Sequence, residues 1–205
     1  MLQDKMNSLK DATGDTTQER WDKATSCVRN SDTAGALFLF KSLVNDGELL
    51  AYSEIANIYE FGGNNLERDY NKAFHWYKQS LDIANDPLGA YGLGRLYCYG
   101  KGIEKNHNKA LWYFELASEN GVPIANIMIG RIYNLGWGVE KDLLKAEEHF
   151  KKAANDGYVY AEKLLGNLVI RKGNWINGFI IYTKGIWHHF SILMKNKYDP
   201  RLRSV

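Results

Sequence analysis

A ladder of small side chains constrains this chain more than any other feature. Ala56, Gly94, Gly130 and Gly166 stand 38, 36 and 36 residues apart, and Ala36, Ala73, Ala110 and Ala146 form a second series at nearly the same period. From each member of the second series to the next member of the first, the distances are 20, 21, 20 and 20 residues. Self-similarity at a fixed period of a few tens of residues marks a chain built from stacked supersecondary units.

Each unit reads as two helices. Ala125, Ile129, Gly130 and Tyr133 lie at i, i+4, i+5 and i+8, and at about 100° per residue they share one face. The partner helix carries Ala146, Phe150 and Ala153 as an inward stripe, matched by Ala110, Phe114 and Ala117 and by Ala73, Tyr77 and Ser80. Glycine inside a helix costs on the order of 1 kcal/mol relative to alanine, so Gly94 and Gly130 in mid-helix imply that a neighbouring backbone comes close. Gly100-Lys101-Gly102 and Gly136-Trp137-Gly138 then supply left-handed caps. Glu119-Asn120-Gly121 and Asn155-Asp156-Gly157 close the second helices. No segment alternates with period two over a useful length, so no sheet is expected. One such hairpin cannot bury its apolar face alone, whereas stacked hairpins make a continuous core.

The register predicts an all-α chain of about five helix-pair repeats, at 15–47, 48–84, 87–121, 122–157 and 158–195, in one domain over 15–195. Residues 1–14 are expected to be flexible or a short cap helix, and 196–205 a tail. The end units are shorter. Ala24 to Ala36 and Gly166 to Gly178 each span 12 residues, against 17, 16 and 16 for Ala56–Ala73, Gly94–Ala110 and Gly130–Ala146. The missing residues fall between the paired helices.

Charge and composition narrow the function classes. With 26 basic and 24 acidic residues the net charge is +2, which gives no electrostatic case for nucleic acid. The N-terminal stretch has no apolar core of signal-peptide length, and no run reaches the roughly 18 apolar residues of a membrane span. Cys27 and Cys98 have no metal-type spacing and read as free thiols of a reducing, cytoplasmic compartment. There is no phosphate loop and no nucleophile elbow. His188 and His189 are adjacent, so on a helix they point about 100° apart and make a poor metal pair. His149 occupies the aromatic slot of Trp76 and Tyr113 and is expected to pack; His75 and His107 are expected to be exposed. No catalytic residue, cofactor or metal is predicted, and the chain is not expected to be an enzyme.

The pattern Leu93-Gly94…Tyr97…Gly100-x-Gly102-Ile103…Lys109-Ala110…Trp112-Tyr113…Ala117…Gly121 resembles the Sel-one-like repeat family, a relative of tetratricopeptide repeats. So does Ile129-Gly130…Tyr133…Gly136-x-Gly138-Val139…Asp142…Lys145-Ala146…Ala153-Ala154…Gly157. With the preceding unit the resemblance covers roughly residues 33–172. The preceding unit departs from the pattern at Asn64-Asn65 and at Ile83-Ala84-Asn85, and the last unit lacks the Gly-x-Gly loop. The resemblance implies a right-handed α/α superhelix that scaffolds protein complexes, with the first helix of each pair lining a concave groove. The compact, repeat-only design fits a bacterial protein.

If the first helices line that groove, its residues follow from the small starters Ala51, Gly89, Ala125 and Ala161. Six positions on stand Asn57, Arg95, Arg131 and Asn167; two on stand Ser53, Tyr91, Ile127 and Lys163; nine on stand Glu60, Cys98, Asn134 and Ile170. Asn57, Tyr91, Arg95, Arg131, Asn134, Lys163, Asn167 and Arg171 are therefore the candidate partner-binding residues. The donors among them suit the carboxylates or backbone of an acidic or extended peptide, and a solvated polar face is the plainer alternative. The last helix is a second feature. Phe179, Ile186, Phe190 and Leu193 recur at helical spacing, with Ile180, Ile181, Trp187 and Met194 beside them. A broad-faced cap, a homodimer or partner contact, and a membrane-surface contact all fit that arc. The leading function is an interaction scaffold or adaptor, including one that neutralises a single partner as an immunity or regulatory protein would. A membrane-surface assembly factor is the alternative. A hydrolase on the repeats is the remote one, for which the sequence assembles no Ser, His and acid.

Overall fold

The computed structural model describes residues 15–64 and 66–195. The segments 1–14 and 196–205, expected as a cap or flexible stretch and a tail, lie outside the described residues, as does Asn65. Among the described residues ten helices follow one another: α1 (Thr17–Arg29), α2 (Thr33–Asn45), α3 (Ala51–Phe61), α4 (Tyr70–Ala84), α5 (Pro87–Tyr99), α6 (His107–Glu119), α7 (Ala125–Leu135), α8 (Leu143–Asn155), α9 (Val159–Arg171) and α10 (Trp175–Lys195). Among the described residues the only β-type pairing is one isolated bridge, Gly63 to Leu66. Three residues connect α1 to α2 and α9 to α10, against eight between α3 and α4, which is where the short end units lose their length.

Two compact units divide the chain, residues 1–105 and 106–205. In the first, α1 to α5 pack each against the next, and α3 also meets α5. In the second, α6 to α10 do the same, with α9 and α10 in the most extensive contact. The small ladder is the inner face of both. Ala36, Ala56 and Ala73 in the first unit and Ala110 and Ala146 in the second are fully buried. So are the aromatic rings four residues beyond each second-helix mark: Phe40, Tyr77, Phe114 and Phe150. Deletion of such a ring from a core costs about 3–5 kcal/mol, and these four carry much of the packing.

Helix starts are periodic too. Asp32, Asp69, Asn106 and Asp142 cap α2, α4, α6 and α8, each accepting from backbone N–H groups of the first turn. Gly100 and Gly136 end α5 and α7 with φ of 66° and 69°, the left-handed conformation that glycine adopts without strain. The Ile83-Ala84-Asn85 irregularity is a different exit. Asn85 takes the left-handed position (φ 48°), and Asp86 beyond it caps α5, accepting from Leu88 N–H and from Ser80 Oγ at 2.9 Å each. The closest backbone approach is between α9 and α10. A Cβ on Gly166 would lie 2.8 Å from Gly178 O, and one on Gly178 would lie 2.6 Å from Ile170 N.

Candidate functional site

In the first unit the candidate residues are drawn into a buried cluster. Glu60 ends α3 with its side chain wholly out of water. It receives Arg95 Nη2 from α5 at 2.5 Å and Lys101 Nζ at 3.3 Å. The Tyr77 hydroxyl, from α4, lies 2.7 Å from Asn57 Oδ1 and 2.8 Å from Glu60 Oε2, donating to one or the other, and accepts from Arg95 Nη2 at 2.8 Å. Burial, above all, pushes the Tyr77 phenol well above its ordinary value; Arg95 opposes the shift and Glu60 adds to it. The hydroxyl therefore keeps its proton. The Arg95 guanidinium stands 5.0 Å from the ring centres of both Phe61 and Tyr91, within cation–π range. Three helices are pinned through one carboxylate.

This differs from an open donor row. Ser53, Tyr91 and Ile127, expected to line a groove two positions after the starters, are buried, and Tyr91 is 7% exposed. Glu60 and Cys98, nine positions on, are each 1% exposed. The reason is that α3 and α5 are covered on more than one side, so the buried arc is wider than a single stripe.

The second unit presents its candidates differently. Lys163, Asn167 and Arg171 follow at four-residue steps along α9, so they share one face. Arg171 Nη1 reaches across to α7 and donates to Asn134 Oδ1 at 3.3 Å. Arg131, half-buried on α7, lies 5.6 Å from the Trp137 ring centre. Asn167 and Arg171 are exposed. No acidic residue occurs on α7, and the single one on α9, Glu162, faces His188 at 3.3 Å. Three cations and two amides thus lie on two helices with no carboxylate among them.

On α10, Phe179, Ile186, Trp187, Phe190 and Leu193 are all exposed, Trp187 at 74%. The buried positions of that helix are Gly178, Gly185 and Ile192, on the other side. Among the histidines, His149 packs against Asn126 Oδ1 at 2.8 Å and stacks with Tyr133. His107 is not exposed as expected: it is half-buried, stacked on Trp137 with ring centres 5.2 Å apart. No group of three His, Cys, Asp or Glu side chains among the described residues is placed to hold a metal. No described helix is long and apolar enough to cross a membrane.

The recurring Lys-Ala pair also has a local role that its spacing did not reveal. Lys72 Nζ sits 5.4 Å from the Tyr59 ring centre and Lys145 Nζ 5.0 Å from that of Tyr133. The backbone N–H of each lysine is held by the preceding cap, Asp69 or Asp142. The repeat's tyrosine, cap and lysine are one device that fixes the second helix on the first.

Over 78 residues the chain is 38% identical to the ERAD-associated E3 ubiquitin-protein ligase component HRD3B of Arabidopsis thaliana, a stretch that is 38% of this chain and 12% of the plant protein. Among solved structures it is similar to a protective antigen of uropathogenic Escherichia coli that displays an SLR fold, with a TM-score of 0.71 and 18% identity, covering 90% of this chain and 43% of that one. It is also similar to an immunity protein of Pseudomonas aeruginosa, with a TM-score of 0.59 and 21% identity, covering 84% of this chain and 66% of that one. These likenesses establish the helix-pair repeat fold. The Sel1 repeat pattern matches residues 49–82, 87–122 and 123–158. These matches coincide with α3–α4, α5–α6 and α7–α8 and cover just over half of the sequence. Sel1 repeat proteins are protein-interaction scaffolds and in general not enzymes, and this chain belongs to the Sel1 repeat family.

Proposed function

We propose that this protein is an adaptor that holds one partner protein, gripping an acidic or extended segment of it with the donor face of α7 and α9. The observation that carries the reading is the concentration of donors, Arg131, Asn134, Lys163, Asn167 and Arg171, on two helices whose one acidic residue, Glu162, faces His188. Guanidinium and amide groups suit carboxylates and peptide backbone. The planar forks of Arg131 and Arg171 favour a carboxylate over a point-charge ligand. Likeness to an immunity protein supports a role in which one bound partner is restrained. In the first unit, Asn57, Tyr91 and Arg95 serve the partner through the shape they fix.

The test is affinity purification of the full chain from its native host, beside the Arg131→Glu/Arg171→Glu double variant, with circular dichroism on both. Loss of one captured protein at unchanged helicity is the expected result. Capture of the same protein at the same yield by the double variant would end the proposal.

A further inference from the structure

We infer that α10 is a membrane-surface helix that lays its outer face on an anionic lipid bilayer. This surface is separate from the donor face of α7 and α9, and the inference stands or falls independently of it.

Ile176, Ile180, Thr183, Trp187, Phe190 and Met194 recur at steps of 4, 3, 4, 3 and 4, with Phe179, Ile186 and Leu193 alongside. All are exposed. At about 200 Å² for a large side chain, the open apolar area is on the order of 1,000 Å². The largest apolar patch on an ordinary monomer is about 300–600 Å², so this face is built to be covered.

Charge and hydrogen bonding indicate what covers it. From Lys163 to Lys195 there is no Asp or Glu, while Lys184 and Lys195, both exposed on α10, are cationic; in the sequence beyond, residues 196–205 add Lys197, Arg201 and Arg203 against Asp199. A second copy of α10 would bring the same cations to the interface and no carboxylate to meet them. A protein interface of this size carries several direct hydrogen bonds, about one per 100–200 Å². Within the stripe, the one hydroxyl, on Thr183, directs its single proton back into the helix, to Phe179 O at 2.9 Å or Ile180 O at 3.1 Å. What remains is aliphatic and aromatic surface with exposed Trp175 and Trp187, whose amphipathic rings suit the headgroup boundary. Lysines along the edge of an apolar stripe are the pattern of a helix lying in the interface plane.

The experiment is co-sedimentation of the full chain with vesicles of phosphatidylcholine alone, and of phosphatidylcholine containing about a third phosphatidylglycerol. Binding to the anionic vesicles is expected to exceed binding to the neutral ones by roughly tenfold or more, and to weaken with salt. The Trp187→Glu/Phe190→Glu variant should lose the binding. These side chains are exposed, so its circular dichroism should match the parent. Lys184→Gln/Lys195→Gln should bind anionic vesicles several-fold more weakly. Equal binding to both vesicle types overturns the inference. So does an absence of vesicle binding, whether the chain is then monomeric by light scattering or forms a dimer that Trp187→Glu/Phe190→Glu dissolves.

Discussion

The same repeat positions do opposite things in the two units. In the first, Glu60 draws Arg95, Lys101 and the Tyr77 hydroxyl inward. In the second, Asn134 takes the place of Glu60 and Phe150 the place of Tyr77, and the arginines of α7 and α9 stay near the surface. Two substitutions within one motif separate a structural knot from a presented face. A donor at a repeat position therefore has no fixed meaning; its role depends on whether a neighbouring hairpin supplies a buried acid.

The sharpest way to break the comparison is Glu60→Ala. It leaves a guanidinium among Tyr77, Phe61 and Tyr91 without its counter-charge, and removal of one member of a buried ion pair costs about 3–5 kcal/mol. Asn134→Ala loses one exposed hydrogen bond and should change stability by less than about 0.5 kcal/mol. Urea denaturation of the two variants measures both. Equal losses would mean that Glu60 carries no more weight than its counterpart in the second unit.

Tyr77→Phe is the finer cut. It makes the first unit like the second at the Phe150 position and leaves the ring packing intact. The hydroxyl it removes serves Asn57, Glu60 and Arg95, so a loss of about 1–3 kcal/mol is expected. A variant as stable as the parent would show that the remaining groups rearrange to satisfy one another.

The fold was legible because small residues at 36–38-residue steps encode where backbones meet, and Gly166 against Gly178 shows that encoding at its tightest. The caps Asp32, Asp69, Asn106 and Asp142 carry the same period at steps of 37, 37 and 36, a signal present in the sequence but easily lost among other loop polars. The site was less legible. Glu60 and Arg95 are 35 residues apart, and only the stacking of α3 beside α5 joins them. A wheel drawn for one helix predicts one buried stripe, whereas α3 is covered by α2, α4 and α5 together, so Ser53 and Glu60 sink as well. The half-burial of His107 is hidden from a single helix for a related reason: its stacking partner Trp137 is 30 residues away in the sequence.

The smallest expected effect separates the units by pH. His149 fills the slot that Trp76 fills in the first unit, and burial, followed by Lys152 and Lys145, holds its imidazole below the ordinary histidine value, with Glu148 opposing. Between that lowered value and the ordinary value near 6.5, the unfolded chain binds a proton that the folded chain does not. Stability from this group is thus complete above about pH 6.5 and is lost as the pH falls through the folded value. His149→Gln keeps a donor for Asn126 Oδ1 but cannot titrate. Thermal melts of parent and variant from pH 7 down to about pH 5 should therefore converge, the parent losing Tm faster. Parallel curves would move the titration to another histidine and leave His149 a packing residue like Trp76.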